Sequence, residues 1–263
     1  LFWLKYSIIN LIILLKIAKR QSSKYSSISS YHILIYVLLK KWTEIMKNLI
    51  SVIVTCYNHE KYIEQCLRSV FKQTYQNIEL IVLDDGSTDG SKQIILKTLK
   101  VSPFDVKFES HKNMGVVKTR NKGIELINGK YFLFVDSDDY LPDDYVEELY
   151  SCAINQQADI VYCDLFDFEK NEIYLKARNF EIYSFLTANY ISNCSLVRKD
   201  ILGEIRYDEH LSGKKLEDYD FFLNLVINRN AKACYQPNTK LFYRVFETGS
   251  ISLRNSVKYH YEI

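Results

Sequence analysis

The sequence predicts an α/β protein built on a Rossmann-like, doubly wound and mostly parallel sheet. Apolar, β-branched runs alternate with segments of helical period between Leu49 and Leu165, the order expected of right-handed β-α-β crossovers. The run YFLFVDSDDY, Tyr131–Tyr140, has a continuous apolar stretch that stops at three aspartates, Asp136, Asp138 and Asp139. A strand of that kind suits the centre of a covered parallel sheet, and the carboxyl ends of such strands are where open α/β sheets bind ligands.

The elements follow in order. Leu49–Cys56 (LISVIVTC) reads as a buried strand, and Lys61–Lys72 as a helix with Tyr62, Ile63, Cys66, Leu67, Val70 and Phe71 at helical spacing. Ile78–Leu83 (IELIVL) is a second strand running into DDGSTDG, where Asp89 can cap a helix reaching about Leu99. Val106–Glu109 is a short third strand, and Gly115–Ile127 a helix with apolar Val116, Val117, Ile124 and Ile127. After the strand Tyr131–Val135, Pro142 marks a helix start, with Asp143 and Asp144 placed to favour its dipole. Asp159–Leu165 is the fifth strand. Beyond Asp167 the period is less regular, leaving Glu217–Asn228 as the last clear helix and Lys240–Phe246 as a strand.

A chain of 263 residues, 48% hydrophobic and 25% charged, has room for a substantial core, and three prolines with eight glycines argue against a linker-rich chain. Residues 1–47 hold eight Lys/Arg and one Glu, a net of +7, which leaves −5 of the total +2 to residues 48–263. An acidic body without a basic stripe excludes nucleic acid as the expected partner. Six scattered cysteines, with no CxxC pair, read as reduced core residues and hence a cytoplasmic protein. His32, His59, His111, His210 and His260 show no paired metal spacing.

Residues 1–45 form an extension with three competing readings. Its apolar run Leu1–Leu15 is broken by Lys5 and Asn10 and is short of the ~20 residues a spanning helix needs. It reads as a membrane-associated segment with a basic flank, as a misplaced start ahead of Met46, or as a genuine soluble extension.

Carboxylates crowded at a strand end repel one another unless a cation joins them, and a divalent metal with oxygen ligands is the natural partner. Parallel strands put the first exit (Thr55-Cys56-Tyr57-Asn58) and the second (Asp84-Asp85-Gly86-Ser87) on one rim with the Asp136 cluster. Such a rim suits a nucleotide: polar edges for a base, hydroxyls for ribose, and carboxylates plus metal for a diphosphate. Each block alone is weak, since DDGS is more often a helix-capping turn and DSDD equally a solvated loop.

In sequence, SVIVTCYN, IELIVLDDGSTDG, HKNMGVVKTRNKGIE and YFLFVDSDDYLPDD together resemble the family-2 inverting glycosyltransferases of the GT-A fold, over about Leu49 to Ser252. The resemblance implies a 46–263 domain with a nucleotide-sugar-binding half, 46–165, and a smaller acceptor-binding half, 166–263. It implies that Asp85 bonds the nucleotide base, that Thr55 and Tyr57 wall it, and that Asn58, Asp84 and Ser137 complete the donor site. Asp136 and Asp138 match the DxD motif that binds Mg²⁺ or Mn²⁺. Arg120 matches an RN position that holds phosphate or braces Asp84, with a salt bridge under the sheet as the plainer role. Glu217-Asp218 resembles an ED motif in which Asp218 is the catalytic base, though acids also simply cap helix starts. One departure is Phe246, which follows Tyr243-Arg244 where many relatives carry a metal-proximal His; Arg244 then reads as a phosphate ligand or an ordinary edge charge.

The implied reaction is inverting transfer of a sugar from a nucleotide-sugar to a glycan or lipid-linked hydroxyl in cell-surface glycan synthesis, with UDP favoured by the fit of Asp85 to uracil's N–H, an edge dTDP shares, and GDP as a further alternative. Its place would be the cytoplasm, with peripheral contact at the inner face of the membrane. A catalytically silent scaffold and a sugar nucleotidyltransferase are the alternatives. The latter lacks its Gly-rich basic loop, since TCYNHEK stands there.

Overall fold

The computed structural model describes residues 48–213 and 216–246. The expectations for residues 1–45 and for the chain beyond 246 lie outside them. Four strands form the expected parallel block: β1 (Ile50–Cys56), β2 (Ile78–Asp84), β3 (Asp105–Ser110) and β4 (Tyr131–Asp136), in the spatial order β3-β2-β1-β4. Helices α1 (Ile63–Phe71), α2 (Ser91–Thr98) and α3 (Val116–Glu125) make the crossovers. Registers Thr55↔Leu83, Cys56↔Asp84 and Thr55↔Asp136 set the three exits side by side on one rim.

Alternation along the strands explains why both faces are covered. Ile50, Val52, Val54 and Cys56 pack under α1, α2 and the later helix α4 (Tyr145–Gln156). On the other face Ile53, Ile81, Leu83 and Phe134 pack under α3 and two later helices, α5 (Ile182–Thr187) and α6 (Glu217–Arg229). Continuous burial of β1 and β2 is what a doubly wound sheet requires.

Several expectations are corrected in detail. α4 begins at Tyr145, three residues after Pro142, because Pro142 and Asp143 form the turn whose Pro142 carbonyl accepts the Tyr145 N–H. Asp89 precedes Gly90, the residue at the head of α2, yet its carboxylate still accepts the Ser91 N–H at 2.9 Å. The fifth strand, β5 (Ile160–Asp167), does not pair with β4. Between them lies β7 (Leu196–Arg198), antiparallel to both. β6 (Glu172–Leu175) pairs antiparallel with the far end of β5, and β8 (Ala233–Tyr243) runs parallel along its other edge. The last strand therefore starts at Ala233 and ends at Tyr243. Its register against β5 slips between Tyr162 and Asp164, around Pro237, which cannot donate to a ladder. Among the described residues no helix is long and apolar enough to cross a membrane.

Gly123 shows how tightly α3 sits on the sheet. A Cβ there would lie 2.9 Å from Ile53 Cγ2 and 3.3 Å from Phe134 Cε1, both buried side chains. Gly123→Val is expected to cost about 2–3 kcal/mol by overpacking, read as a lower urea midpoint at an unchanged m-value.

Candidate active site

The rim is stitched together by short polar side chains that satisfy loop backbone. Asn58 adopts a left-handed φ of 55°, and its Oδ1 accepts the Thr88 N–H at 2.8 Å while its own N–H donates to Ser87 Oγ at 3.0 Å. Glu60 Oε2 accepts the Gly90 N–H and Asp89 Oδ2 accepts the Glu60 N–H, so the β1 and β2 exits hold each other. Asp84, fully buried, accepts from Ser87 N–H (3.2 Å) and Ser110 Oγ (2.8 Å). Asp85 accepts the Met114 and Gly115 N–H groups at 2.8 and 3.0 Å, one on each oxygen, with His111 Nδ1 3.4 Å from Oδ1. Thr55 is buried at the end of β1, whereas Tyr57 stands 45% exposed above it.

Arg120 lies at the centre, on α3, and is 6% exposed. Its Nη2 reaches Asp136 Oδ1 at 3.1 Å and Oδ2 at 3.4 Å, and its Nη1 reaches Glu217 Oε1 at 3.4 Å. With the Asn193 amide nitrogen turned to the Tyr207 hydroxyl, Asn193 Oδ1 accepts from Arg120 Nε at 3.1 Å. The guanidinium also sits 5.7 Å from the Tyr207 ring centre. Burial disfavours its charge, but Asp136 above all, with Glu217 and Asp218, outweighs that and holds its pKa above the usual arginine value. Arg120 thus braces Asp136 and not Asp84, which is satisfied by Ser87 and Ser110, and the salt bridge expected as its plainer role is present.

This ion pair brings the head of α6 against the end of β4. Asp218, half-buried there, accepts the Tyr219 N–H at 2.8 Å. Burial first and the neighbouring Glu217 second push its carboxyl up to about 6, with Arg120 pulling the other way. Glu217 Oε2 is buried without a hydrogen-bond partner.

At the end of β4 the acids diverge. Asp139 is buried and accepts the Arg244 N–H at 2.8 Å. Burial, then repulsion from Asp138 and Asp136, holds its carboxyl well above the usual range. Asp138 is raised as well, by burial and then by Asp136. Its nearest cation-forming group is His59, whose Nδ1 is 3.9 Å from Oδ1 and 2.8 Å from Ser137 Oγ. The donor atoms that converge within 4.8 Å belong to Asp136, Asp139 and Cys194. Burial pushes the Cys194 thiol well up, which leaves it a poor partner for a hard cation. The carboxylates fit Mg²⁺ or Mn²⁺ in chemistry: all are oxygen donors, and a divalent ion would relieve the crowding that raises Asp138 and Asp139.

Arg244 is not a free edge charge. Its Nε donates to the Asp138 carbonyl (3.0 Å), Nη1 to Glu169 (2.6 Å) and Nη2 to Gln65 (3.0 Å), between the rings of Tyr62 and Phe168. Phe246 packs edge-on against Tyr62 at 5.6 Å. His59 and His111 are the two rim neighbours that spacing did not flag, since their partners lie 78 residues away at Ser137 and 26 residues away at Asp85.

Replacing Arg120 with Met leaves Asp136 and Glu217 facing each other without a cation. It is expected to lower stability by about 3–5 kcal/mol in chemical denaturation. Adding Glu217→Gln to that variant restores part of the loss, because one of the two stranded charges is then removed.

Comparison with known proteins agrees with this architecture. The family model for glycosyl transferase family 2 matches residues 51–206. The chain is similar to the glycosyltransferase GlyA of Streptococcus pneumoniae, 42% identical over 123 residues, which are 47% of this chain and 18% of GlyA. A Haemophilus influenzae protein described as an uncharacterized glycosyltransferase is 32% identical over 216 residues, 79% of this chain and 82% of that protein. Among solved structures, Staphylococcus aureus TarS 1–349 in complex with UDP-GlcNAc superposes with a TM-score of 0.67 at 24% identity, covering 79% of this chain and 61% of TarS 1–349. The mannosyltransferase PcManGT of Pyrobaculum calidifontis, in complex with GDP-Man and Mn²⁺, superposes at 0.62 and 16% identity over 82% of this chain and 65% of its own. The chain thus spans under a fifth of GlyA and less than two thirds of either solved chain. The fold is that of the GT-A enzymes, and the chain belongs to glycosyl transferase family 2.

Proposed function

We propose that the protein transfers a sugar from a nucleotide-sugar, a UDP-sugar first among them, to a hydroxyl acceptor with inversion at the anomeric carbon. The observation that carries this reading is the Arg120 bridge, which sets Glu217-Asp218 beside the acidic end of β4. In this reading residues 46–165 hold the donor and residues 166–263 form the acceptor side. That TarS holds UDP-GlcNAc and PcManGT holds GDP-Man and Mn²⁺ on the same fold supports a nucleotide-sugar donor.

Asp85 keeps lone pairs free after accepting two backbone N–H groups, enough to take a base N–H. Thr55, Tyr57 and Asn58 wall the base, and Asp84 and Ser137 keep the loops in place. Asp136 and Asp138 would hold Mg²⁺ or Mn²⁺. That ion, when bound, offsets the charge that grows on the departing diphosphate. Asp218 removes the acceptor O–H proton as the oxygen forms its bond to C1. The C1–O bond to phosphate breaks on the opposite face, and the nucleoside diphosphate leaves with the electron pair. A single displacement of this kind inverts the carbon. The acceptor is proposed to be a glycan or lipid-linked hydroxyl of the cell surface, glycosylated at the cytoplasmic side of the membrane.

Two measurements test this. Calorimetric titration of the full chain with UDP, dTDP and GDP, with and without Mn²⁺, should show metal-dependent binding of one nucleotide that Asp138→Ala abolishes. No binding by a folded chain overturns the reading and leaves a silent scaffold. Asp218→Asn should lower kcat by about 10²–10⁴-fold with nucleotide binding retained. The base must be ionised to work, so kcat/KM should rise with pH and level off above about 6, the value to which burial and Glu217 push Asp218. An acid limb near the ordinary carboxylate value, or one that survives in Asp218→Asn, would remove Asp218 from the role.

A further inference from the structure

The β1–α1 loop places an imidazole against the acidic loop that ends β4. His59 is fixed through its backbone: its N–H donates to Ser91 Oγ at 2.9 Å, and its carbonyl accepts from the Tyr62 and Ile63 N–H groups at 3.0 Å. Its ring packs edge-on against Tyr62, with 6.0 Å between centroids. From that anchored position Nδ1 bonds Ser137 Oγ at 2.8 Å and faces Asp138 Oδ1 at 3.9 Å, a distance too long for a hydrogen bond. The opposite side of the same loop is gripped by Arg244, through the Asp138 carbonyl and the Asp139 carboxylate. Tyr62 joins the two grips, since Arg244 stacks on it at 4.4 Å.

We propose that His59 is a positioning residue for the proposed metal site, holding Ser137 so that Asp138 is presented beside Asp136; this rests on the donor-site reading above. Asp136 and Asp138 repel one another, and left alone the more mobile of the two turns toward solvent. Arg120 fixes Asp136. The Asp138 carboxylate has beside it its own backbone N–H and the His59 ring at 3.9 Å, with no guanidinium grip like that on Asp136, so its direction depends on the backbone between Ser137 and Asp139. His59 and Arg244 hold that backbone from either side. Losing a group that orients a ligand typically weakens metal affinity by about 10–100-fold.

The test is Mn²⁺ binding to the full chain in the presence of UDP, followed by electron paramagnetic resonance, for wild type, His59→Ala and His59→Asn. His59→Ala should weaken Mn²⁺ by about 10–100-fold, with the melting temperature of the metal-free protein and its metal-free affinity for UDP unchanged. His59→Asn, whose amide can reach Ser137 Oγ from the place of Nδ1, should recover most of the loss. Unchanged Mn²⁺ affinity in His59→Ala overturns the inference alone. Equal loss in both variants, or a loss that tracks a lowered melting temperature, also overturns it, because the Ser137 contact is then not the cause. A wild-type chain that takes neither Mn²⁺ nor UDP overturns the donor-site reading, and this inference with it.

Discussion

The arrangement of the whole site depends on one buried cation. Asp136 ends β4 and Glu217 starts α6, and their carboxylates, the first 31% exposed and the second 10%, converge on one buried guanidinium. Without Arg120 between them they would drive the two elements apart. Burying a guanidinium costs several kcal/mol, which is recovered only when its donors are all engaged. Here Asp136, Glu217, Asn193 and the face of Tyr207 surround it. Its value lies less in net stability than in specifying one position of α6 over the sheet. The close seat of α3 at Gly123, against Ile53, Phe134 and Leu83, is what brings Arg120 deep enough to reach both acids.

The rim at the β1 and β2 exits is held for a different reason. Its loops carry many backbone N–H groups that no sheet or helix satisfies, and short acids and amides take them. Asp85 receives two, Asn58 and Glu60 one each, and Asp89 two more. Apart from the local Asp89–Ser91 bond, these run between the β1 and β2 exits or between β2 and the β3–α3 loop, so the rim is shaped before any ligand arrives. Such preorganisation lowers the ordering cost of binding.

The first half of this architecture was legible because parallel, doubly covered strands leave an unmistakable trace: LISVIVTC, IELIVL and YFLFV are continuous apolar runs, and their exits carry the polar blocks. The second half left little trace. β7 has three residues, β6 four and mostly exposed, and α5 six, each too short to show a period. The first part of β8, ACYQPNTK, mixes polar residues with a proline because it borders a slipped register and not a full ladder. Long-range partners were hidden for a simpler reason. Nothing local to Arg120 signals Glu217, 97 residues later, and nothing local to His59 signals Ser137.

Three acids near the rim have raised proton affinities, and the causes separate their roles. Asp138 is raised by burial and then by Asp136, and Asp139 by burial and then by Asp138 and Asp136, a condition that added positive charge relieves. Arg244 offsets part of that demand at both acids, through its backbone N–H at Asp139 and through its charge, and His59 adds to it at Asp138. Asp218 is different. Its main causes are burial and Glu217, and Arg120 is the opposing influence that keeps it from rising further. The cation that fixes α6 in space therefore also sets how readily Asp218 gives up its proton. In the proposed role of base, a carboxyl pushed up to about 6 is ionised at neutral pH yet remains a competent proton acceptor, which is the compromise general-base catalysis favours. Geometry and basicity at this site are thus two consequences of a single buried ion pair, and neither can be altered at Arg120 without the other.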